Sequence, residues 1–324
     1  SFDPAMRKAA LLYNPDSGGS GRRRLKELES ALQVLRAGGV EADLVPTESR
    51  HHAGDEARQA VGAGCDTIFA CGGDGTIHNI AQVLAKTTVA LGILPMGTAN
   101  ALAHDLGLPV NIRAAAEAAL HGRLRRIALG CVKYTSFQGT ERTRYFVVAA
   151  GMGVDAHLFY KLHTGAKQRM GMAAYYAKAW NLWFTYPMTR FVAEYVGDGA
   201  AEATRVDVTE LLSVRIRNFG GVIQELAPGA SLERDDMRLV LCRTASRMAY
   251  LAYVTRGLLR RRWKIRGIEL VYSTRVSCNY AASSLAPVPQ KVYVEADGEL
   301  LGTLPAEITV VPDALTLLVP SCKT

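Results

Sequence analysis

The run Cys71-Gly72-Gly73-Asp74-Gly75-Thr76 sets a carboxylate among glycines and ends on a hydroxyl. Glycines in a turn let a ligand approach the backbone, and the N–H groups that open a following helix favour an anion. An acid beside such an anion nest repels the ligand unless a divalent cation or a donor from the ligand lies between them. The pattern therefore suggests a nucleotide phosphate site with Mg2+ nearby. Two other loops have the same glycine texture: Asn14-Pro15-Asp16-Ser17-Gly18-Gly19-Ser20-Gly21 and Pro95-Met96-Gly97-Thr98-Ala99-Asn100. The first lacks the Lys-Ser/Thr pair of a P-loop, and no GxGxxG occupies a first strand-to-helix turn. The common mononucleotide and dinucleotide explanations are thus disfavoured. Far along the chain, Asp297-Gly298-Glu299 brings two more carboxylates together. Taken alone this is a hairpin turn, because Asp-Gly is the strongest short hairpin signal.

Loops of this kind need a scaffold that aims them at one place. The first part of the chain alternates in the α/β manner. Strands are expected at 9–13, 40–45, 65–70 and 90–94, and helices at 22–37, 55–61, after Asp74, and at about 100–106. Leu25, Leu28, Leu32 and Leu35 share one face of the first helix, and Ile77, Ile80, Ala81 and Leu84 share a face of the third. Alternation of this sort predicts an open, mainly parallel sheet covered by helices, with the three loops at its carboxyl edge, where ligands of such sheets bind. After about residue 126 short β-rich runs dominate: 145–149, 189–195, 211–217, 237–242, 267–276, 291–296 and 307–311. Helical stretches at 170–184 and 248–256 interrupt them. A second, mostly antiparallel β domain is expected. The division expected is 6–126 and 127–324, the extreme C-terminus being free to return to the first domain, with the active site in a cleft between the two.

The bulk properties agree. A chain of 324 residues, 49% hydrophobic and 21% charged, is comfortable as two globular domains. Its net charge of +8 suits an anionic partner. The six cysteines are scattered with no CxxC pair, which reads as reduced thiols in a cytosolic protein. No signal peptide is recognisable before Met6. The most apolar stretch, 170–188, is interrupted by Lys178 and Asn181 and closed by Pro187. It does not predict a membrane span.

Taken in order, the motifs resemble the diacylglycerol kinase catalytic-domain superfamily, in particular bacterial lipid kinases related to sphingosine and ceramide kinases. The elements are Asn14-Pro15 with Ser17-Gly18, Thr47 with His52-Ala53, Gly72 to Thr76, Pro95 with Gly97-Thr98 and Asn100, Gly151 to Ala156, Asp236 before Leu239, and Asp297-Gly298-Glu299. The resemblance implies an NAD-kinase/diacylglycerol-kinase-like α/β domain, a β-sandwich domain, and transfer of the ATP γ-phosphate to a lipid hydroxyl. It implies that Asn14, Ser17, Thr47, Gly72, Gly73, Asp74, Gly75, Thr76, Ile77, His78, Gly97, Thr98 and Asn100 form the nucleotide site. Asp74 would sit by the phosphates and Mg2+. Asp297 and Glu299 would face the acceptor, one of them as general base. Asp236 would match a structural Mg2+ site, with carbonyls near Glu233 and Arg238 as further ligands.

The chain departs from that pattern in places. Asn79 stands where Glu is usual, Ala101 where Asp often follows the Asn, Ala128 where an acid is common, and Met237 where Gly is usual. A residue other than glycine at Met237 disfavours a positive φ there and puts the structural metal in question. The expected partners are ATP, a lipid such as diacylglycerol, ceramide or a sphingoid base, and an anionic membrane surface, with no nucleic acid. A homodimer is compatible with all of this. The basic run Arg260 to Arg266 and the aromatic run Trp180 to Pro187 are candidates for peripheral docking by a cytoplasmic protein. Two other readings remain open: an NAD kinase-like or 6-phosphofructokinase-like enzyme with a soluble substrate, and a catalytically weak lipid-binding regulator.

Overall fold

The computed structural model describes residues 6–15, 21–48, 52–153, 188–220, 225–258, 264–281 and 290–321. The expectations for Ser17, the helix at 170–184, the aromatic run and Arg260 to Trp263 lie outside these residues. The chain forms two units: Ser1–Leu129 with Asn218–Gly221 and Val311–Thr324, and Gly130–Arg217 with Val222–Val310.

In the first unit β1 (Lys8–Tyr13), β2 (Glu41–Pro46), β3 (Thr67–Gly72) and β4 (Ala90–Pro95) pair in parallel in the order β2-β1-β3-β4. The end of β15 (Glu299–Val319) joins beside β4 through Thr316 and Leu317, again in parallel. Every residue of β3 and β4 is buried. A parallel strand covered on both faces must be apolar throughout, which is why these segments read as unbroken apolar runs.

Helices supply the cover. Leu28, Ala31 and Leu35 of α1 (Gly21–Ala37) join Ile112, Ala115 and Ala116 of α5 (Ile112–Leu120) and strand residues Leu11, Phe69 and Leu94 in one core. Leu25, expected on that face, is instead 38% exposed. Ala53, Ala57 and Ala60 of α2 (Ala53–Gly62) and Ile77, Ile80, Ala81 and Leu84 of α3 (Asp74–Leu84) are buried, and these two helices pack together. The sequence pattern does not foreshadow α5. Its start is marked by Asn111, whose Oδ1 accepts from the Ala114 N–H at 3.0 Å, a cap that contributes about 1 kcal/mol. The short α4 (Ala101–Asp105) follows Asn100.

The second unit is a mostly antiparallel β-sandwich, as expected. One run of strands is β12 (Ile268–Ser273), β11 (Met237–Cys242), β10 (Glu210–Val214), β7 (Ala149–Gly153), β14 (Tyr293–Ala296) and β15. A second runs from β15 through β13 (Arg275–Tyr280) and β8 (Phe191–Tyr195) to β9 (Thr204–Val208). β5 (Arg123–Ser136), which begins in the first unit, pairs with β15 and with β6 (Glu141–Phe146). Alternate residues of these strands, such as Ala150 and Met152, Leu239 and Leu241, and Val276 and Cys278, share one buried core. Among the described residues of this unit a helix, α6 (Arg247–Leu258), follows β11. Two strand expectations are corrected. The run 145–149 spans the bend between β6 and β7, and 267–276 is broken at Thr274 into β12 and the start of β13.

Candidate active site

The strand register decides where the glycine loops emerge. Tyr13 lies opposite both Pro46 and Cys71, and Gly72 lies opposite Pro95. Because all these pairs are parallel, the residues after β1, β2, β3 and β4 leave from one edge. Asn14, Thr47, Gly73 and Met96 therefore stand in a row, and β1 is the strand at which chain order reverses. The crevice at such a reversal is where open α/β sheets bind ligands. A cavity of about 240 Å³ opens there, lined by Tyr13, Asn14, Arg22, Leu25, Cys71 and Met96. The exposure of Leu25 is thus explained by the cavity it lines.

Two of the loops touch through their backbones. A Cβ on Gly97 would fall 2.4 Å from the Gly73 Cα, and one on Gly73 would fall 3.1 Å from the Gly97 Cα. At Gly97 no side chain fits unless the loops move apart, and at Gly73 a methyl group would be in tight contact. The Met96 N–H donates to the Gly72 carbonyl at 3.0 Å, and Arg24 Nη2 donates to the Met96 carbonyl at 3.2 Å. Asn100 then closes its own loop. Its Oδ1 accepts from the Gly97 N–H and its Nδ2 donates to the Gly97 carbonyl, both at 2.8 Å. Asn100 has φ +49°, a left-handed conformation that Asn tolerates better than most residues.

Thr98 stands exposed at the tip of the same loop. Asp74 is half-buried in the first turn of α3, where the helix dipole favours a negative charge by about 0.3–1 kcal/mol. Gly75 and Thr76 share that partial exposure, whereas Ile77 and His78 are buried at 3% and 1%. The part of the motif open to a ligand is thus Gly73 to Thr76. Thr47 is also buried, and its N–H donates to the Tyr13 carbonyl at 2.8 Å. Asn79, at the position where an acid was expected, turns its amide back to the Gly75 carbonyl at 3.0 Å and steadies the helix start.

In the second unit the Asp-Gly pair forms the two-residue turn between β14 and β15. Asp297 and Gly298 have φ of +48° and +79°, the left-handed pair of a type I′ hairpin. The Asp297 carboxylate does more than favour the turn. Its Oδ2 accepts from the Val147 N–H at 2.9 Å, and its Oδ1 from Val148 at 2.9 Å and Ala149 at 3.1 Å. Glu295, which no sequence pattern singled out, is 5% exposed and accepts from the Gly298 N–H at 3.1 Å. Glu299 follows the turn, half-buried, as the first residue of β15.

The Asp236 turn is occupied by arginines. Arg234 Nε and Nη2 reach the two Asp236 carboxylate oxygens at 2.6 and 2.5 Å. Arg215, wholly buried, donates from Nη1 to the Arg234 carbonyl at 3.0 Å and also to the Asp236 carbonyl. Burial pushes the Arg215 guanidinium down to about 10, with Asp236 and Asp235 opposing the shift. Arg215 therefore stays protonated at neutral pH. Glu233 is exposed, and Arg238 lies over the Tyr272 ring at 4.0 Å. Met237 needs no unusual backbone: it lies in β11, and it is absent from the positive-φ residues among those described.

Two known families match successive parts of the chain. The family described as diacylglycerol kinase catalytic domain matches residues 8–132, and that described as YegS C-terminal NAD kinase beta sandwich-like domain matches residues 147–319. The chain is 29% identical to the diacylglycerol kinase of Bacillus subtilis over 98% of both chains. It is 30% identical to that of Mycobacterium tuberculosis, over 97% of this chain and 95% of the relative. In fold it is similar to the crystal structure of a Bacillus anthracis diacylglycerol kinase, with TM-score 0.70 at 17% identity over 98% of this chain and 99% of the other. A yeast NADH kinase complexed with NADH is more distant, with TM-score 0.50 at 11% identity over 99% of this chain and 85% of the other.

The Gly73–Gly97 contact is testable by adding one methyl group. Gly97→Ala must separate the two loops, at a cost of about 1–3 kcal/mol. It is expected to weaken ATP binding, read by calorimetry, about tenfold, the equivalent of about 1.4 kcal/mol. Unchanged affinity would remove the contact from the nucleotide site.

Proposed function

The chain belongs to the diacylglycerol kinase catalytic-domain superfamily, and from that premise we propose that it transfers the γ-phosphate of ATP to the hydroxyl of a membrane lipid, with diacylglycerol as the first acceptor to consider. The observation that carries this reading is the backbone contact of Gly73 with Gly97 at the carboxyl edge of the parallel sheet. It leaves the start of α3 open to a phosphate chain, with Thr98 exposed beside it.

The residues at this edge fit a nucleotide-bound Mg2+. Asp74 offers a hard oxygen in the first turn of α3, and Mg2+ is ordinarily held by one or two carboxylates together with substrate phosphates and water. When bound, the ion neutralises charge on the transferring phosphates. The helix N-terminus adds to that neutralisation, and positioning rather than covalent chemistry is the protein's main task in phosphoryl transfer.

A lipid hydroxyl is a weak nucleophile and needs a base within hydrogen-bond reach. Of the two carboxylates in the hairpin, Glu299 is the better fit to that role. The Asp297 oxygens accept three backbone N–H groups and so fix the turn, which leaves them little further accepting capacity. In this reading Asp297 and Glu295 hold the hairpin in place and Glu299 takes the proton.

Access to a lipid calls for a membrane surface. Among the described residues no helix is long and apolar enough to cross a membrane. The second unit has an open cavity of about 1000 Å³ whose lining includes Arg238, Arg256, Lys264 and Arg266. Among the described residues the one acid in that lining, Glu269, is paired with Arg243 at 2.9 Å. Such a cationic hollow supports peripheral attachment to anionic headgroups, each basic residue near the surface contributing about 1 kcal/mol.

The two carboxylates are distinguished by kinetics and melting. Glu299→Gln is expected to lower kcat by about 10²–10⁴-fold with ATP affinity and melting temperature preserved. Asp297→Asn turns an amide toward N–H donors and is expected to lower the melting temperature as well. A Glu299→Gln variant with wild-type kcat would rule Glu299 out as the base. For the surface, Lys264→Ala with Arg266→Ala should reduce binding to phosphatidylglycerol vesicles by about tenfold or more at low salt, the difference shrinking as salt rises. Equal binding at low salt would exclude this hollow from docking.

A further inference from the structure

We infer that the guanidinium of Arg215 takes the place of a divalent cation in the Asp236 turn, so that the second unit is built around a cation attached to its own chain. The turn has the oxygen-rich character of a site for a hard metal ion: main-chain carbonyls beside a carboxylate, which are the ligands Mg2+ and Ca2+ use. The carbonyls of Arg234 and Asp236, however, both accept from Arg215 Nη1. Both carboxylate oxygens of Asp236 accept from Arg234. These oxygens of the turn, the Asp236 carboxylate among them, are thus already turned toward guanidinium nitrogens, and a Mg2+ held by that carboxylate does not fit the residues present.

The arrangement has the marks of a built feature. Arg215 is among the largest fully buried side chains of the protein, and buried arginine is rare unless its charge is met. A guanidinium carries five N–H donors in a planar fork, so one side chain can serve several oxygens as a small ion does. The strand register brings it there. Val214 lies opposite Arg238 and Ser213 opposite Leu239, so Arg215 follows directly at the level of the turn. The Arg234 guanidinium is braced on its other side by the Tyr272 ring at 4.0 Å, and Ser213 Oγ donates to the Met237 sulfur at 3.0 Å. Met237 at the position where glycine is usual belongs to the same substitution, since an ordinary strand residue replaces a metal-loop turn.

The test is the melting temperature of the nucleotide-free protein in EDTA and in millimolar Mg2+ or Ca2+, which leaves the nucleotide-dependent ion out of the reading. The wild type is expected to melt within about 1 °C in all three conditions, because a site that binds no ion gains nothing from mass action. Arg215→Met, which leaves the oxygens without their cation, is expected to melt about 10 °C lower in EDTA. A saturable rise of the wild-type melting temperature with Mg2+ or Ca2+ that disappears in Asp236→Asn would overturn the inference. A rise that survives in Asp236→Asn arises elsewhere and agrees with it. Arg215→Met melting as the wild type would also contradict it. If Arg215→Met does not fold, the comparison of the wild type with Asp236→Asn decides the matter alone.

Discussion

Two backbones that touch set the geometry of the carboxyl edge of the parallel sheet. Gly73 and Gly97 approach so closely that a methyl group has no room on Gly97 and only a tight fit on Gly73. The contact exists because β3 and β4 are parallel neighbours whose ends coincide, Gly72 opposite Pro95. Parallel pairing in turn demands helices on both faces, which fixes the apolar character of both strands. Asn100 accepts a left-handed backbone so that its side chain can hold Gly97 from both sides. In the function proposed, the phosphate chain would therefore meet main-chain groups at the start of α3 that the sheet has already positioned.

The second unit solves a related problem with charge. Its hairpin turn is held by one carboxylate on three N–H groups and by a second, Glu295, on a fourth. The Val148 N–H that Asp297 binds belongs to the same residue whose carbonyl accepts from the Arg215 N–H at 2.9 Å. The hairpin and the arginine-filled turn are thus consecutive links of one hydrogen-bonded chain within the sandwich. Buried polar groups are costly when unpaired, so links of this kind stand or fall together.

Much of this was legible in the sequence where local chemistry is strong. Repeated strand–loop–helix alternation declared the α/β unit, glycine loops marked its edge, and Asp297-Gly298 announced the turn. The rest depends on groups brought together from distant positions. Arg215 reads as an exposed cation until a sheet register sets it against residues 234–236. Glu295 reads as one acid in an alternating strand until Gly298 folds over it. β15 reads as broken because Pro305 and Pro312 interrupt it, yet it runs through all 21 residues from Glu299 to Val319. The first part of β5, mostly exposed and rich in arginine, shows no apolar alternation to find.

The central claim is phosphoryl transfer from ATP to a lipid. The most direct measurement is Mg2+-dependent transfer of ³²P from labelled ATP into a panel of diacylglycerol, ceramide, sphingosine and phosphatidylglycerol, resolved by thin-layer chromatography, with NAD as a soluble control. The account predicts label in a lipid, diacylglycerol foremost, and none in NAD. Label in NAD alone, or ATP binding with no label in any lipid, would contradict it.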